Sequence, residues 1–237
     1  MRKAREILAL VSEATREVEG ATAGGVNQGS IRVGATDTVI GYFLGPILAR
    51  FKARFPRINA QVVQLERPEI ESGLIDGELD IAVILVSNLR RREALTSSIL
   101  LPSQRRLWLP PRHALLAKKQ VSLADVAKEP YIMLTVDEAE KSALGYWQRH
   151  SLKPDTILRT ANVEAVRTMV ALGMGVSILS DMVFRPWSLE GDRIEVRDLV
   201  EHIPSMDIGL AWRLGATLSP AADEFRAFLQ SSYVRPT

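Results

Sequence analysis

The chain has 237 residues, of which 46% are hydrophobic, and its 30 basic and 28 acidic residues give a formal net charge of +2. This length suits one large domain or two small ones, and the composition excludes disorder along most of the chain. So small a basic excess does not argue for nucleic-acid binding, and the absence of cysteine excludes disulfides, thiol catalysis and thiolate metal sites.

The amino-terminal segment predicts an amphipathic helix from Met1 to about Ala21, followed by a flexible joint. The helix is either the end of a linker to a neighbouring domain or an element that packs on its own domain. It carries too many charges for a signal peptide, and no apolar run approaches the roughly 20 residues that span a bilayer. We therefore expect a soluble, cytoplasmic protein without a membrane partner.

The stretch after residue 30 combines a short strand, Ile31–Ala35, with an apolar helix, Val39–Phe55, that we expect to kink at Gly45-Pro46. The turn between them is small and hydroxyl-rich. Because a helix amino terminus presents unpaired backbone N–H groups, this turn suits an anion and predicts one wall of a small-molecule pocket. The alternative is an ordinary helix cap made by Asp37 or Thr38.

The elements that follow alternate between strand and helix, as in a doubly wound α/β sheet. The apolar run Asp80–Val86 is typical of a strand buried on both faces of a parallel sheet. The other predicted strands are Ala60–Leu65, Leu95–Leu101, Arg106–Leu109, Tyr131–Leu134, Pro154–Thr160, Val176–Leu179, Ile194–Val196 and Ile208–Trp212. The other predicted helices are Pro68–Glu78, a short one capped by Ser122, Ala139–His150, Ala161–Leu172 and one from Ser219-Pro220 to about Leu229.

The sequence gives little support to catalysis. Its three histidines, His113, His150 and His202, lack metal-ligand spacing, and no nucleophile elbow, phosphate loop or dinucleotide fingerprint is present. We predict no enzyme activity, no catalytic or metal site and no cofactor. Two basic clusters, Arg90-Arg91-Arg92 and Arg105-Arg106, are more typical of solvated loops than of phosphate sites.

Five segments in a fixed order carry a resemblance to a known family: GSIRVGATDTV, LGPILARFKARFP, LIDGELDIAVILV, LPPRHALLAKKQVSLADVAKEPYIML and ANVEAVRTMVALGMGVSIL. Through them, residues 29–229 resemble the effector-binding domain of LysR-type transcriptional regulators. The resemblance implies a type 2 periplasmic-binding-protein-like fold, with two Rossmann-like α/β subdomains joined by two crossover strands and a ligand cleft between them. Subdomain I would comprise residues 28–104 and 210–237, and subdomain II residues 105–209.

The resemblance also implies that residues 1–27 are the end of a linker helix and its joint, with the winged helix-turn-helix absent from this chain. DNA would then be a partner only through that amino-terminal domain. The family usually forms homodimers or homotetramers in which subdomain I of one protomer meets subdomain II of another. The candidate faces here are the helices Val39–Phe55 and Ala161–Leu172.

The ligand-binding residues that the resemblance implies come from both subdomains. Subdomain I would supply polar groups and an apolar wall from Thr36, Asp37, Thr38, Arg67, Pro68 and Leu85. Subdomain II would supply Thr135, Asn162 and Val163. Each has a plainer interpretation: Arg67 as a partner of Glu66 or Glu69, and Asn162 as a helix cap. His113 matches a family position that we interpret as structural.

Two residues depart from the family pattern. Ser180 stands where members commonly have proline, and Asp37 is an acid at an edge where many family effectors present a carboxylate. Arg67 favours an acidic effector whereas Asp37 opposes one, so the sign of the ligand's charge stays open. The expected function is that of an effector sensor that binds a small molecule, with a carboxylate metabolite as the preferred class. The alternatives are a solute-binding protein of the same fold that serves a transporter, or a stand-alone binding module.

Overall fold

A computed structural model describes residues 28–233 of the chain. They form two compact α/β units, one made of residues 28–102 and 207–233 and the other of Ser103–Met206. We refer to them as the first and the second unit. The chain crosses between them at Pro102–Ser103 and Met206–Asp207, slightly before the boundaries expected after residues 104 and 209. The predicted linker helix and joint lie outside the described residues.

The strands and helices of the two units follow one another along the chain. The strands are β1 (Gly29–Ala35), β2 (Ile58–Gln64), β3 (Ile81–Leu85), β4 (Leu95–Leu101), β5 (Arg105–Leu109), β6 (Pro130–Leu134), β7 (Asp155–Thr160), β8 (Ser177–Ser180), β9 (Glu195–Arg197) and β10 (Ile208–Arg213). The α-helices are α1 (Asp37–Val39), α2 (Gly45–Arg54), α3 (Arg67–Ile75), α4 (Leu123–Val126), α5 (Ala139–Arg149), α6 (Val163–Ala171) and α7 (Pro220–Tyr233).

The first unit is built on a sheet in the order β2-β1-β3-β10-β4. Strand β1 pairs in parallel with β2 and β3, whereas β10 pairs antiparallel with β3 and β4. All five residues of β3 are buried, as the continuous apolar run predicts. The carboxyl ends of the three parallel strands therefore share one edge with the amino end of β10.

The second unit repeats this arrangement. Strands β6 and β7 pair in parallel, and β5 lies between β8 and β9 with antiparallel pairing on both sides. The N–H of Ile132 donates to the carbonyl of Val176 over 2.9 Å, which joins β6 to the residue before β8. The resulting order, β7-β6-β8-β5-β9, matches that of the first unit strand for strand. The predicted α/β class with two crossover strands is confirmed.

The helix after β1 differs from its prediction at its start and in its middle. It begins at Asp37, two residues earlier than expected, and widens into a π-helical segment at Ile40–Leu44 directly before Gly45. Pro46 lacks an N–H, so it cannot donate to the carbonyl of Tyr42, which explains why the α-helical pattern is interrupted there.

Three other helices differ from their predicted bounds by two or more residues at one end. Helix α3 runs over Arg67–Ile75 and ends early because Gly77 adopts a left-handed φ of +76°. Helix α6 begins at Val163 because Asn162 is its cap, and α7 extends to Tyr233.

Gly209 in β10 gives a test of this packing. A methyl group there would overlap the carbonyl oxygen of Ser98 and lie 2.7 Å from Cγ1 of Val86. We expect Gly209→Ala to lower the free energy of unfolding by about 1–3 kcal/mol, measured by urea denaturation, because the strand backbone cannot move away. The control is Gly145→Ala in α5, where no described heavy atom lies within 4 Å of the added methyl group. It should raise stability by roughly 0.5–1 kcal/mol through helix propensity. Equal effects of the two changes would contradict this packing.

Candidate ligand-binding site

Thr36 occupies the carboxyl edge of the first sheet, directly after β1. It is the residue that caps α1, but its side chain makes no capping hydrogen bond. The side chain is 3% exposed, and its Oγ1 has no hydrogen-bond partner within residues 28–233. The alternative interpretation, in which Asp37 or Thr38 caps this helix, is therefore wrong. At this edge of the sheet, the Thr36 hydroxyl is buried and has no partner among residues 28–233.

Asp37 is exposed and belongs to the first turn of α1. Its Oδ1 accepts a hydrogen bond of 3.0 Å from Nε2 of Gln64, the last residue of β2. The carboxylate thus bridges the ends of two neighbouring parallel strands. Thr38, one residue further, is buried within the helix. The edge of the first unit therefore combines a buried hydroxyl with an exposed acid that has a neutral partner.

Arg67 begins α3 and is only 8% exposed. Its Nη1 lies 2.8 Å from Oε1 of Glu71, a buried partner that the sequence did not indicate. The same oxygen of Glu71 accepts the N–H of Arg90 over 2.8 Å. The charge of Arg67 is therefore compensated inside the first unit, which weakens its candidacy as the carboxylate ligand.

Two further predicted residues differ in exposure. Pro68 is exposed in the first turn of α3. Leu85 ends β3, is 3% exposed and pairs with Ile208 of β10. Leu85 therefore contributes to the core at this edge, as an apolar wall would.

In the second unit, the structure brings Thr135 and Asn162 to the same sheet edge. The N–H of Thr135, directly after β6, donates to the carbonyl of Thr160 at the end of β7 over 2.9 Å. Oδ1 of Asn162 accepts from the N–H groups of Glu164 and Ala165 over 2.8 and 3.2 Å. The interpretation of Asn162 as a helix cap is confirmed, and Val163 behind it is buried.

The turn after β6 carries backbone strain that the sequence did not reveal. Asp137 and Glu138 both adopt left-handed conformations, with φ of 51° and 62°. Each such residue costs of order 1–3 kcal/mol, and such residues concentrate at ligand sites. The strained pair lies between Thr135 and the start of α5, so it shapes this edge of the second unit.

Arg105 corrects the prediction that Arg105-Arg106 is a solvated loop. It is the first residue of β5, is 8% exposed and pairs with Ser180 at the end of β8. Its Nη2 donates to Oγ of Ser142 over 2.5 Å, and its guanidinium lies 5.7 Å from the ring centre of Tyr146. The signal was present in the alternation, because Arg105 shares a strand face with the buried Leu107 and Leu109.

Ser180, at the family's proline position, takes part in a polar cluster. Its Oγ lies 2.6 Å from Oγ of Ser103, and both oxygens accept from the N–H of Met182. This cluster ties the end of β8 to the residue at which the chain enters the second unit. A proline could not make these contacts, because it has no hydroxyl group.

His113 has contacts that fit the structural role expected for it. Its Nδ1 accepts the N–H of Leu115 over 3.2 Å, and Nε2 lies 3.6 Å from Oε2 of Glu129. Across residues 28–233, no three His, Asp or Glu side chains are placed to hold a metal ion. None of the helices in that range is both long and apolar enough to cross a bilayer.

Comparison with known proteins identifies the family. The family described as LysR substrate binding domain matches residues 24–233. The HTH-type transcriptional regulator CysB of Burkholderia cenocepacia is 30% identical over 198 residues, which are 80% of this chain and 62% of that protein. The chain spans 53–66% of the length of three curated relatives that it matches.

Solved structures agree with the sequence comparison. HinK, a LysR family transcriptional regulator from Pseudomonas aeruginosa, superposes with a TM-score of 0.77 at 26% identity, covering 98% of this chain and 78% of HinK. The CcmR regulatory domain of Synechocystis in complex with 2-PG has a TM-score of 0.76 at 20% identity, covering 87% of this chain and 98% of that domain, and supports the fold alone. The chain belongs to the LysR substrate-binding domain family.

Proposed function

We propose that this chain is the effector-sensing domain of a LysR-type transcriptional regulator and binds a small metabolite at the carboxyl edges of its strands. The observation that carries this proposal is the buried Oγ1 of Thr36, which has no hydrogen-bond partner among the described residues. An unsatisfied buried hydroxyl costs about 1–3 kcal/mol, and a ligand that hydrogen-bonds to it recovers this energy.

Polar groups at the strand edge of each unit support a ligand of mixed hydrogen-bonding character. The first unit offers Thr36 and Thr38, with Asp37 and Arg67 as charged neighbours and Pro68 and Leu85 as apolar surface. The second unit offers Thr135, Asn162 and Val163. In open α/β sheets, ligands sit beyond the carboxyl ends of the strands, which is where these residues lie. A carboxylate metabolite is the preferred class.

Signalling would proceed by a shift between two conformations of the regulator. An effector changes that equilibrium only by its difference in affinity for the two states, commonly 1–3 kcal/mol. The output would be DNA binding through an amino-terminal domain outside this chain, since the matched relatives are HTH-type regulators of greater length. The domain would therefore act in the cytoplasm, as a sensor without catalytic activity of its own. Relatives of this kind do not favour a transporter's solute-binding protein.

Thr36→Val tests the proposal. A thermal-shift screen of small carboxylates, phosphates and neutral metabolites should find a compound that stabilises the wild type, by about 2.7 kcal/mol at 100 times its dissociation constant. Valine removes an unsatisfied hydroxyl without changing the volume, so the unliganded variant should be as stable as the wild type or more stable, yet lose most of the ligand's effect. The control is Thr96→Val at the opposite edge of the same sheet, which should respond like the wild type. A ligand that stabilises both variants equally would contradict a site at Thr36.

A homodimer, or a homotetramer built from it, is the second part of the proposal. The first unit of one protomer would meet the second unit of its partner through α2 and α6, where Ala49 is exposed and Met169 partly exposed. We expect Ala49→Glu and Met169→Glu to lower the sedimenting mass, because each places a charge at a desolvated contact. Ala227→Glu, on the exposed side of α7, is the control and should leave the mass unchanged. Dimers of unchanged affinity in both test variants would remove these helices from the interface.

A further inference from the structure

Arg105 differs from the other buried arginines in how its charge is satisfied. Arg167 is 1% exposed and directs its guanidinium at Glu164 and at the carbonyls of Val183 and Arg185. Arg67 has Glu71 as its carboxylate partner. Arg105 donates to the neutral hydroxyl of Ser142, and its Nη1 is buried without a hydrogen-bond partner in the described part of the chain.

No neighbouring group among residues 28–233 supplies a negative charge to Arg105. Within residues 28–233, no carboxylate lies within ion-pair distance of Arg105. The acidic side chains that act on its charge are the phenols of Tyr146 and Tyr131, but burial raises the pKa of both, so they stay neutral. Burial also lowers the pKa of Arg105 itself, as expected for a cation removed from water. A buried cation without a negatively charged partner lowers the stability of the fold, because its desolvation is not compensated unless an anion binds to it.

The position of Arg105 in the second unit links it to the proposed effector site. Its pairing with Ser180 places it at the carboxyl end of β8, the edge at which β6 and β7 also end. Thr135 and Asn162 lie at that edge. Ser142, which holds Nη2 of Arg105, is on α5, the helix that follows β6.

We propose that Arg105 is the anion-binding residue of the second unit and receives an oxyanion of the effector, a carboxylate, sulfate or phosphate group, on its Nη1. This inference rests on the proposed function and narrows its ligand class. The planar guanidinium would fork two oxygens of such a group, and the hydroxyl of Ser142 can donate to the same oxyanion. Arg67, whose charge already has a carboxylate partner, takes no part in this contact.

The experiment compares wild type, Arg105→Met and Arg106→Met by thermal shift and calorimetric titration. The probes are potassium sulfate, potassium phosphate, a panel of small carboxylates and a matched panel of neutral amides. Arg106→Met is the control, because Arg106 lies on the other face of β5 and is paired with Asp181 at 2.6 Å. Arg105→Lys keeps the positive charge but loses the planar guanidinium that can bind two oxygens. Its oxyanion affinity is compared with that of the wild type if the methionine variant does not fold.

The proposal predicts that an oxyanion stabilises the wild type and Arg106→Met. In Arg105→Met, its affinity should fall by about 30-fold or more, since a buried charge-assisted contact is lost. The melting temperature of unliganded Arg105→Met should equal or exceed that of the wild type, because an uncompensated cation has been replaced by an apolar chain of similar length. In Arg105→Lys, the oxyanion should bind more weakly than in the wild type and more tightly than in Arg105→Met.

Three results would overturn the inference. An oxyanion that binds Arg105→Met, or failing that Arg105→Lys, as tightly as the wild type would remove Arg105 from the site but leave the effector-sensing function intact. Binding of neutral amides alone would do the same. Stabilisation by none of the compounds would overturn both the inference and the proposed function.

Discussion

The parallel pairing of β1 with β2 and β3 is the constraint on which the proposed site depends. Parallel strands all end at one edge, and the chain must leave that edge through turns that open helices. Thr36 and Arg67 both stand at such an exit, one as the cap of α1 and the other as the first residue of α3. The second unit repeats the arrangement with Thr135 and Asn162. Polar side chains and backbone donors therefore collect at one edge of each sheet without any sequence repeat between the units.

The three buried arginines differ in the partners of their guanidinium groups. This difference separates the structural arginines from the one that we propose binds a ligand. The guanidinium of Arg167 donates to the carbonyls of Val183 and Arg185 and lies 5.0 Å from the ring centre of Trp108. These donors therefore hold the fold together. Arg67 and Glu71 neutralise one another inside the first unit. Arg105 alone of the three keeps a buried nitrogen without a partner in the described chain. Asp37, by contrast, is exposed and engaged by Gln64, so its charge remains in water at the edge of the other unit.

Most of the secondary structure could be predicted from the sequence because two signals agree: the spacing of apolar residues, and the residues that begin and end helices and strands. The apolar run before Val86, the Ser122 cap and the Ser219-Pro220 start each have a local cause. An irregularity at Gly45-Pro46 could be predicted because Pro46 lacks an N–H, but its form, a π-helical segment at Ile40–Leu44, could not. The family resemblance supplied most candidate positions, but it could not show that Glu71 pairs with Arg67. The prediction for Arg105 is wrong because two adjacent basic residues are typical of an exposed loop. Its alternation with Leu107 and Leu109 points to a buried face, and this becomes decisive once β5 is placed between β8 and β9.

Amide correlation spectra recorded during titration with a stabilising compound test most directly whether ligands bind at the carboxyl edges of the strands. The account predicts that the largest shifts occur at Thr36 and Thr38 in the first unit and at Thr135 and Asn162 in the second. Shifts concentrated at the amino ends of the same strands, around Gly29 and Ile58, with Thr36 and Thr135 unchanged, would contradict it.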